Sequence, residues 1–443
     1  MKNKFRYTIT FSSKLIFVVM MIFAASLSAY SVMDAKIGNQ VTPLDARTAA
    51  MGDASTGFSA NLFGSLYNPA NLNNLPGKAG FQFAAGFMRH AQQRSLPMYD
   101  SFDGFVGDAE YVANENIFGE MAVGAYYKFS YQPLDFAVAA QYRPHTNFDC
   151  RYDEEIRNNE NADFNSYPPI IATNIIDGEG SINAMSFLTS INYDKYTLGI
   201  ELASLSGEQD YSKKVLWSDY ADAASTGTLQ DSIIALTRDF EGFTYQIGLQ
   251  AEINRYTSVG FNYKPELDID AKAYGITDSY KQPGSMRLGL YHAPRSFISS
   301  SINLDVEYVN WNSINDLYDN ELNYYIGVEH VINKNMPFRM GFNYKTDYQM
   351  TEDDGIEYAD KIIVPTFSAG TGFQILDNFT LDLSIAYSNR IYEALDLFQD
   401  TVYDHEVLWN NYTYMNFEYR GWENPDKVTE TNFKLQTTLS YKF

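Results

Sequence analysis

Hydrophobic and polar residues alternate along much of this chain. In the final stretch Phe433, Leu435, Leu439, Tyr441 and Phe443 fall on one side of an extended strand. Lys434, Gln436, Thr438, Ser440 and Lys442 fall on the other. A period of two predicts a strand, and a wholly apolar face must meet lipid or a core. Met121, Val123, Ala125, Tyr127 and Phe129 oppose Ala122, Gly124, Tyr126 and Lys128 in the same way. Phe243, Tyr245, Ile247, Leu249 and Ile253 oppose Thr244, Gln246, Gln250, Glu252 and Asn254. Met336, Phe338, Met340, Phe342 and Tyr344 oppose Arg339, Gly341 and Asn343.

Runs of this kind predict about 14 strands, an even number as single-chain bacterial barrels require. They fall near 79–88, 121–130, 133–143, 181–193, 195–204, 241–254, 256–265, 284–292, 297–310, 321–332, 336–346, 362–375, 378–390 and 430–443. The links between them alternate in length. Long ones run near 89–120, 144–180, 205–240, 266–283, 311–320, 347–361 and 391–429. Short ones lie at 131–132, 194–195, 255, 293–295, 333–335 and 377–378. Short periplasmic turns and long external loops produce this pattern in a transmembrane barrel; a soluble β-sandwich, the alternative, has no reason to. The predicted fold is therefore all-β, an antiparallel transmembrane β-barrel, with both ends of the mature chain in the periplasm. An aromatic residue closing the last strand agrees with it.

The amino terminus predicts export. Lys2, Lys4, Arg6 and Lys14 accompany an apolar run from Leu15 to Ala25, too short to span a bilayer as a helix. Small residues follow at Ser26, Ser28 and Ala29, so residues 1–29 read as a signal peptide and the mature chain is expected in the bacterial outer membrane. Mean hydropathy is −0.31 and no second long apolar run occurs, which leaves a closed barrel as the way across a bilayer. The barrel itself is expected over 78–443.

The formal charge of −23 becomes about −27 once the leader's four basic residues are removed. That excludes nucleic acid as a partner. Asp149, Asp153, Glu154, Glu155, Glu160 and Asp163 are expected in a solvated loop, and no EF-hand spacing accompanies them. The single cysteine, Cys150, reads as a loop thiol without an internal disulfide. Strand parity sends Asp135, Glu201, Glu252, Asp305, Glu307, Glu329 and Asp382 inward, with Lys128, Arg143, Arg287, Arg339 and Lys345. Paired charges lining a wet lumen explain them better than catalysis does.

Residues 36–77 do not alternate. They are rich in Gly, Ala, Asn and Ser, with turn signals at Asn68-Pro69 and Leu75-Pro76-Gly77. A barrel this wide is not filled by its own side chains, so a compact segment before the first strand suits the role of a lumen plug; a periplasmic extension is the alternative. Within it stand Asp45-Ala46-Arg47, Met51-Gly52-Asp53-Ala54 and Tyr67-Asn68-Pro69-Ala70-Asn71-Leu72. These resemble the amino-terminal signature of the FadL superfamily of outer-membrane transporters. The resemblance implies a fourteen-stranded barrel with a lumen hatch, carrying Met51, Gly52, Asp53, Asn68, Pro69 and Ala70 as its motif. It implies passive uptake of long-chain fatty acids or other hydrophobic small molecules, captured on outer loops and released by movement of the hatch, without a cofactor. Asn71 stands where the family often has Gly. The Asp-Ala-Arg opening also resembles the PorV-type branch, which implies secretion-system proteins as alternative partners.

Candidate capture loops are apolar. The 205–240 link carries Val215, Leu216, Trp217, Tyr220, Leu229, Ile233, Ile234, Leu236 and Phe240, the later ones at partly helical spacing. The 391–429 link carries Tyr392, Leu395, Leu397, Phe398, Leu408, Trp409, Tyr412, Tyr414, Phe417 and Trp422. Apolar clusters on external loops are either buried or used. Trp217, Leu236, Phe240 and Trp409 are the candidate ligand contacts, with Arg47 and Arg287 for a carboxylate; Arg47 and Asp53 are also expected to seat the plug on lumen charges. A hydrolase is the remaining reading. Five histidines exist: His330 falls on an outward face and His90, His145 and His405 in loops, and no G-x-S-x-G elbow accompanies them or His292.

Overall fold

The computed structural model describes residues 38–100, 102, 104–157, 169–219, 221, 229–295, 299–333, 336–353, 356–398 and 425–443. The leader, Tyr220, Glu160, Asp163, His405, Leu408, Trp409, Tyr412, Tyr414, Phe417 and Trp422 lie outside the described residues.

A two-residue strand, β1 (Asn39–Gln40), and a short helix, α1 (Ala46–Ala50), precede the barrel. Its strands are β2 (Ala79–Tyr99), β3 (Phe105–Tyr131), β4 (Leu134–Asn147), β5 (Cys150–Arg157), β6 (Ile170–Tyr193), β7 (Tyr196–Trp217), β8 (Ser232–Asn254), β9 (Thr257–Lys264), β10 (Leu267–Ala273) and β11 (Ile276–Gln282). They continue as β12 (Ser285–His292), β13 (Ser299–Val309), β14 (Glu321–Asn333), β15 (Met336–Asp353), β16 (Ile356–Leu376), β17 (Phe379–Ala394) and β18 (Asp426–Lys442). Three staves of the wall are two strands in line: β4 with β5, β9 with β10, and β11 with β12. The last strand pairs with the first, Leu435 opposite Phe87, so fourteen antiparallel staves close on themselves. Closure removes the free edges that an open sheet would present.

The predicted parity holds. Met121, Val123, Tyr127 and Phe129 are exposed on the outside, as are Phe433 and Leu435, while Gln436 and Thr438 are buried inside. Met185, Phe243 and Phe367 are 64%, 59% and 59% exposed, and with their neighbours they form an apolar band around the wall. Such a band suits a hydrocarbon layer and not water. No described helix is long and apolar enough to cross a membrane.

Several strands run much further than alternation predicts. β3 has 27 residues, about 90 Å of chain, where about 10 cross a bilayer. Its added outer part begins Phe105-Val106-Gly107-Asp108-Ala109-Glu110, where the exposed positions include Asp108 and Glu110, because beyond the band the outer surface is charged. Arg89 pairs there with Glu115, and Lys272 with Glu241. The periodic signal ends where lipid would end, although the ladder does not. The segments expected as long links near 89–120 and 205–240 are accordingly mostly strand. Val215, Leu216 and Trp217 belong to β7, and Ile233, Ile234, Leu236 and Phe240 to β8; their helical spacing is coincidental. The 266–283 link is the hairpin β10–β11. Cys150, Asp153, Glu154 and Glu155 are in β5, with Cys150 and Glu154 buried, and His90 and His145 are in β2 and β4 rather than in loops. The first turn is Gln132-Pro133, one residue later than expected.

Candidate functional site

The interior of the barrel is built in three storeys, and the lowest is made by residues 41–77. Asp45 caps α1 by accepting from the Thr48 amide at 2.8 Å, and it also accepts from Asn61. Burial pushes the Asp45 carboxyl up; the hydrogen bonds from Thr48 and Asn61 pull it back. From α1, Arg47 reaches Glu329 at 3.2 Å. Glu329 accepts from Arg339 at 2.6 Å, and Arg339 donates onward to Asp382 at 2.6 Å. Four charges from α1, β14, β15 and β17 thus form one chain.

Asp53 is held from both ends. Lys345 donates to its carboxylate at 2.7 Å, and Arg287 donates to its carbonyl oxygen. Arg287 also donates to Asp305 at 3.1 Å, and its guanidinium lies 3.7 Å from the Tyr325 ring and 4.7 Å from the Tyr67 ring. Asp305 accepts in addition from the amides of Ser55 and Thr56, both at 2.9 Å. Each buried charge meets an opposite one with hydrogen bonds, which is the condition for keeping it buried. Arg287 is therefore engaged by the protein itself.

The wall meets this segment with glycines. A Cβ added to Gly327 or Gly341 would collide with Met51 and, at Gly341, with Gly52. One added to Gly199 or Gly248 would collide with Pro69, and Ala70 or Asn68 beside it. Glycine within a strand often marks a close backbone approach, and here it does so opposite both halves of the motif. Asn68 caps the 3₁₀ helix Pro69–Asn74 by accepting from Ala70 at 3.0 Å and donates to Leu249 of β8 and to Thr56, each at 2.9 Å. Buried amides complete the fit: Gln82 accepts from Leu62 at 2.8 Å, Gln250 donates to Gly57 at 2.8 Å, and Asn303 donates to Ala54 at 2.7 Å. A cavity of about 660 Å³ lies below, lined by Asn73, Asn74, Lys78, Lys128, Asp135, Asn192 and Glu252 among others.

Above the polar storey the lining turns apolar. Phe148, Ile182, Leu205, Phe240, Leu267 and Ile269 form a buried cluster in which Phe148 stacks on Phe240 at 5.0 Å. The hairpin β10–β11 supplies its lid. Both of its strands break at one level, since Lys264 pairs with Ser285 and Leu267 with Gln282, across Pro265 and Pro283. The top storey gathers Tyr152, Ile156, Ile171, Ile176, Val215 and Phe398, with Trp217 packed against them. Leu236 is half-buried opposite Tyr211, which touches the same cluster.

The candidate ligand contacts are thus separated by height. Arg47 and Arg287 belong to the lowest storey, Phe240 to the middle, and Trp217 and Leu236 to the top. The wall glycines were missed in the sequence; their signal was a Gly at an inward position of a strand.

No family model and no curated protein matches the sequence. Solved structures do match. A Pseudomonas aeruginosa FadL homologue superposes with a TM-score of 0.58 at 12% identity, covering 92% of this chain and 100% of the other. The fold is that of the FadL-type channels. The Pseudomonas putida toluene transporter TodX gives 0.55 at 12% identity, covering 92% and 99%. The Ralstonia pickettii toluene transporter TbuX gives 0.53 at 13%, covering 91% and 100%. At these identities the FadL-type likeness concerns the path of the chain. The motif residues Met51-Gly52 and Asn68-Pro69-Ala70, together with Thr56 and Gly57, are met closely by glycines of the wall of this FadL-type barrel.

Proposed function

We propose that this protein is an outer-membrane channel for passive uptake of hydrophobic small molecules, long-chain fatty acids and aromatic hydrocarbons among them. The observation that carries this reading is the order of the interior: two buried apolar clusters toward the long ends of the strands, the upper one beside the buried Arg94–Asp426 pair, above a storey filled by residues 41–77 and rich in ion pairs and amides. An apolar solute gains free energy by leaving water for such a lining. The FadL-type fold, shared with structures named as toluene transporters, supports the same reading.

Residues 36–77 act in this reading as the hatch. Its firm part is 46–72, held by Arg47, Asp53 and the wall glycines. Its lighter part is 38–44, which has no charged side chain and is attached through the two-residue pairing of β1 with β4, packing of Val41 and Leu44, a hydrogen bond from the Val41 amide to the His145 carbonyl, and those from Lys434 and Gln436 to the Pro43 carbonyl. Movement that admits a solute starts at the lighter part. The test is mass spectrometry of solvent extracts from the purified folded barrel beside an unrelated barrel prepared identically. Selective enrichment of a fatty acid or other apolar compound is expected; identical bulk lipid in both would contradict the reading.

A further inference from the structure

Among the described residues, Phe398 is the one ring in the top storey that no strand carries. It stands after β17, on residues 395–398, which have no regular secondary structure, yet it is 2% exposed. Its ring lies parallel to Tyr152 of β5, 17° between planes and 6.4 Å between centroids. Lys213 of β7 places its ammonium 4.5 Å above the same ring. The chain around it is held by its carbonyls: Arg94 donates to Leu395 at 3.3 Å, and Lys213 donates to Leu397 at 2.5 Å. The pocket's floor and sides come from β5, β6 and β7, with Ile171 and Val215 in the same buried cluster.

From this geometry we infer that Phe398 fills a receptor site for an aromatic ring, and that an aromatic ligand of the channel binds there by displacing it. The inference rests on the reading of the protein as a channel for hydrophobic solutes and names the ligand class for its outermost site.

The pocket offers what a π-system needs beyond apolar burial. A cation over the face of a ring is attracted by its quadrupole, and a parallel aromatic wall adds offset stacking. An alkyl chain has no such face and gains burial alone. A ring carried on residues outside the ladder is exchangeable in a way that a ring on a paired strand is not, since moving it costs the contacts of Arg94 and Lys213 with two carbonyls and breaks no ladder. Self-occupancy of this kind lowers apparent affinity by the fraction of time the site is filled, so vacating it raises affinity.

The experiment uses the full-length protein in lipid nanodiscs, with folding of each variant checked by its heat-modifiable migration. Binding of naphthalene is measured by equilibrium dialysis beside decalin, which has the same carbon skeleton without a π face. Phe398→Ala is expected to bind naphthalene about tenfold more tightly than the unaltered protein, with a smaller gain for decalin. Adding Lys213→Met to Phe398→Ala is expected to remove the preference for naphthalene. Phe398→Leu, which keeps the apolar fill, carries the same test should the alanine variant not fold, and is expected to give a smaller gain. Unchanged naphthalene binding in folded Phe398 variants, while the unaltered protein still enriches apolar compounds, would overturn the site and leave the channel reading standing. Absence of binding in every form, together with no enriched compound, would overturn both.

Discussion

The backbone of Gly52 lies against the backbone of Gly341, in the space a side chain on Gly341 would need. One glycine belongs to the amino-terminal segment and the other to the inner face of β15. Neither tolerates a Cβ, so the segment and the wall are fitted to one another. Gly341→Val is expected to cost about 1–3 kcal/mol or more, as overpacking does. Gly107→Ala, at a position with nothing within 4 Å of the added carbon, is expected to stay within about 0.5 kcal/mol. Urea midpoints of the folded barrels check both, and limited proteolysis reports whether the segment is still seated.

Arg287 and Asp305 are both buried, at 3.0 Å, and together hold Asp53, Ser55 and Thr56. Removing one partner leaves a charge without its counterpart, which costs about 3–5 kcal/mol. Arg287→Met and Asp305→Leu alone are each expected to destabilise by that order, and the double variant by less than the sum. A double-mutant cycle on urea midpoints measures the coupling. Additive effects would mean that the pair does not act as a unit.

Asp45 supplies a pH signature. Its folded-state value is raised by burial, so the folded chain binds this proton more tightly than the unfolded chain does. Stability from this group therefore falls as pH rises through the interval between the unfolded and folded values, and the penalty persists above it. Asparagine caps a helix about as well as aspartate. Asp45→Asn is expected to be at least as stable as the unaltered protein at neutral pH, with the difference shrinking in acid. Midpoints across a pH series provide the check.

The outer band makes its own demand. Phe243→Arg puts a charge where the wall faces lipid and is expected to cost about 2–4 kcal/mol in a bilayer. Ile233→Arg, on the same strand but near its outer tip and also exposed, is expected to cost little. Comparing the two in refolding from urea into lipid vesicles separates a lipid-facing band from ordinary exposed apolar residues.

The lipid-facing half of the barrel was legible because lipid enforces period two. Phe433, Leu435 and Met121 had to be apolar, and their neighbours were free to be polar. Nothing outside the lipid enforces that rule, so β3 before residue 121 and β8 before residue 241 read as loop although both continue in the ladder. The motif Met51-Gly52-Asp53 was visible as a motif, and its partners Lys345 and Arg287 were visible as inward charges. Which charge meets which depended on long-range register and was not visible. Nor was the burial of Phe398, because the pocket that receives it is assembled from strands more than 180 residues earlier in the chain.

The measurement that bears most directly on the channel reading is uptake. Bacterial cells lacking their own channel for hydrophobic compounds are given labelled oleate and naphthalene, with and without this protein at a known amount of folded barrel. Faster accumulation of at least one of these solutes with the protein present is the expected result. Equal accumulation with and without correctly folded protein in the outer membrane would contradict it.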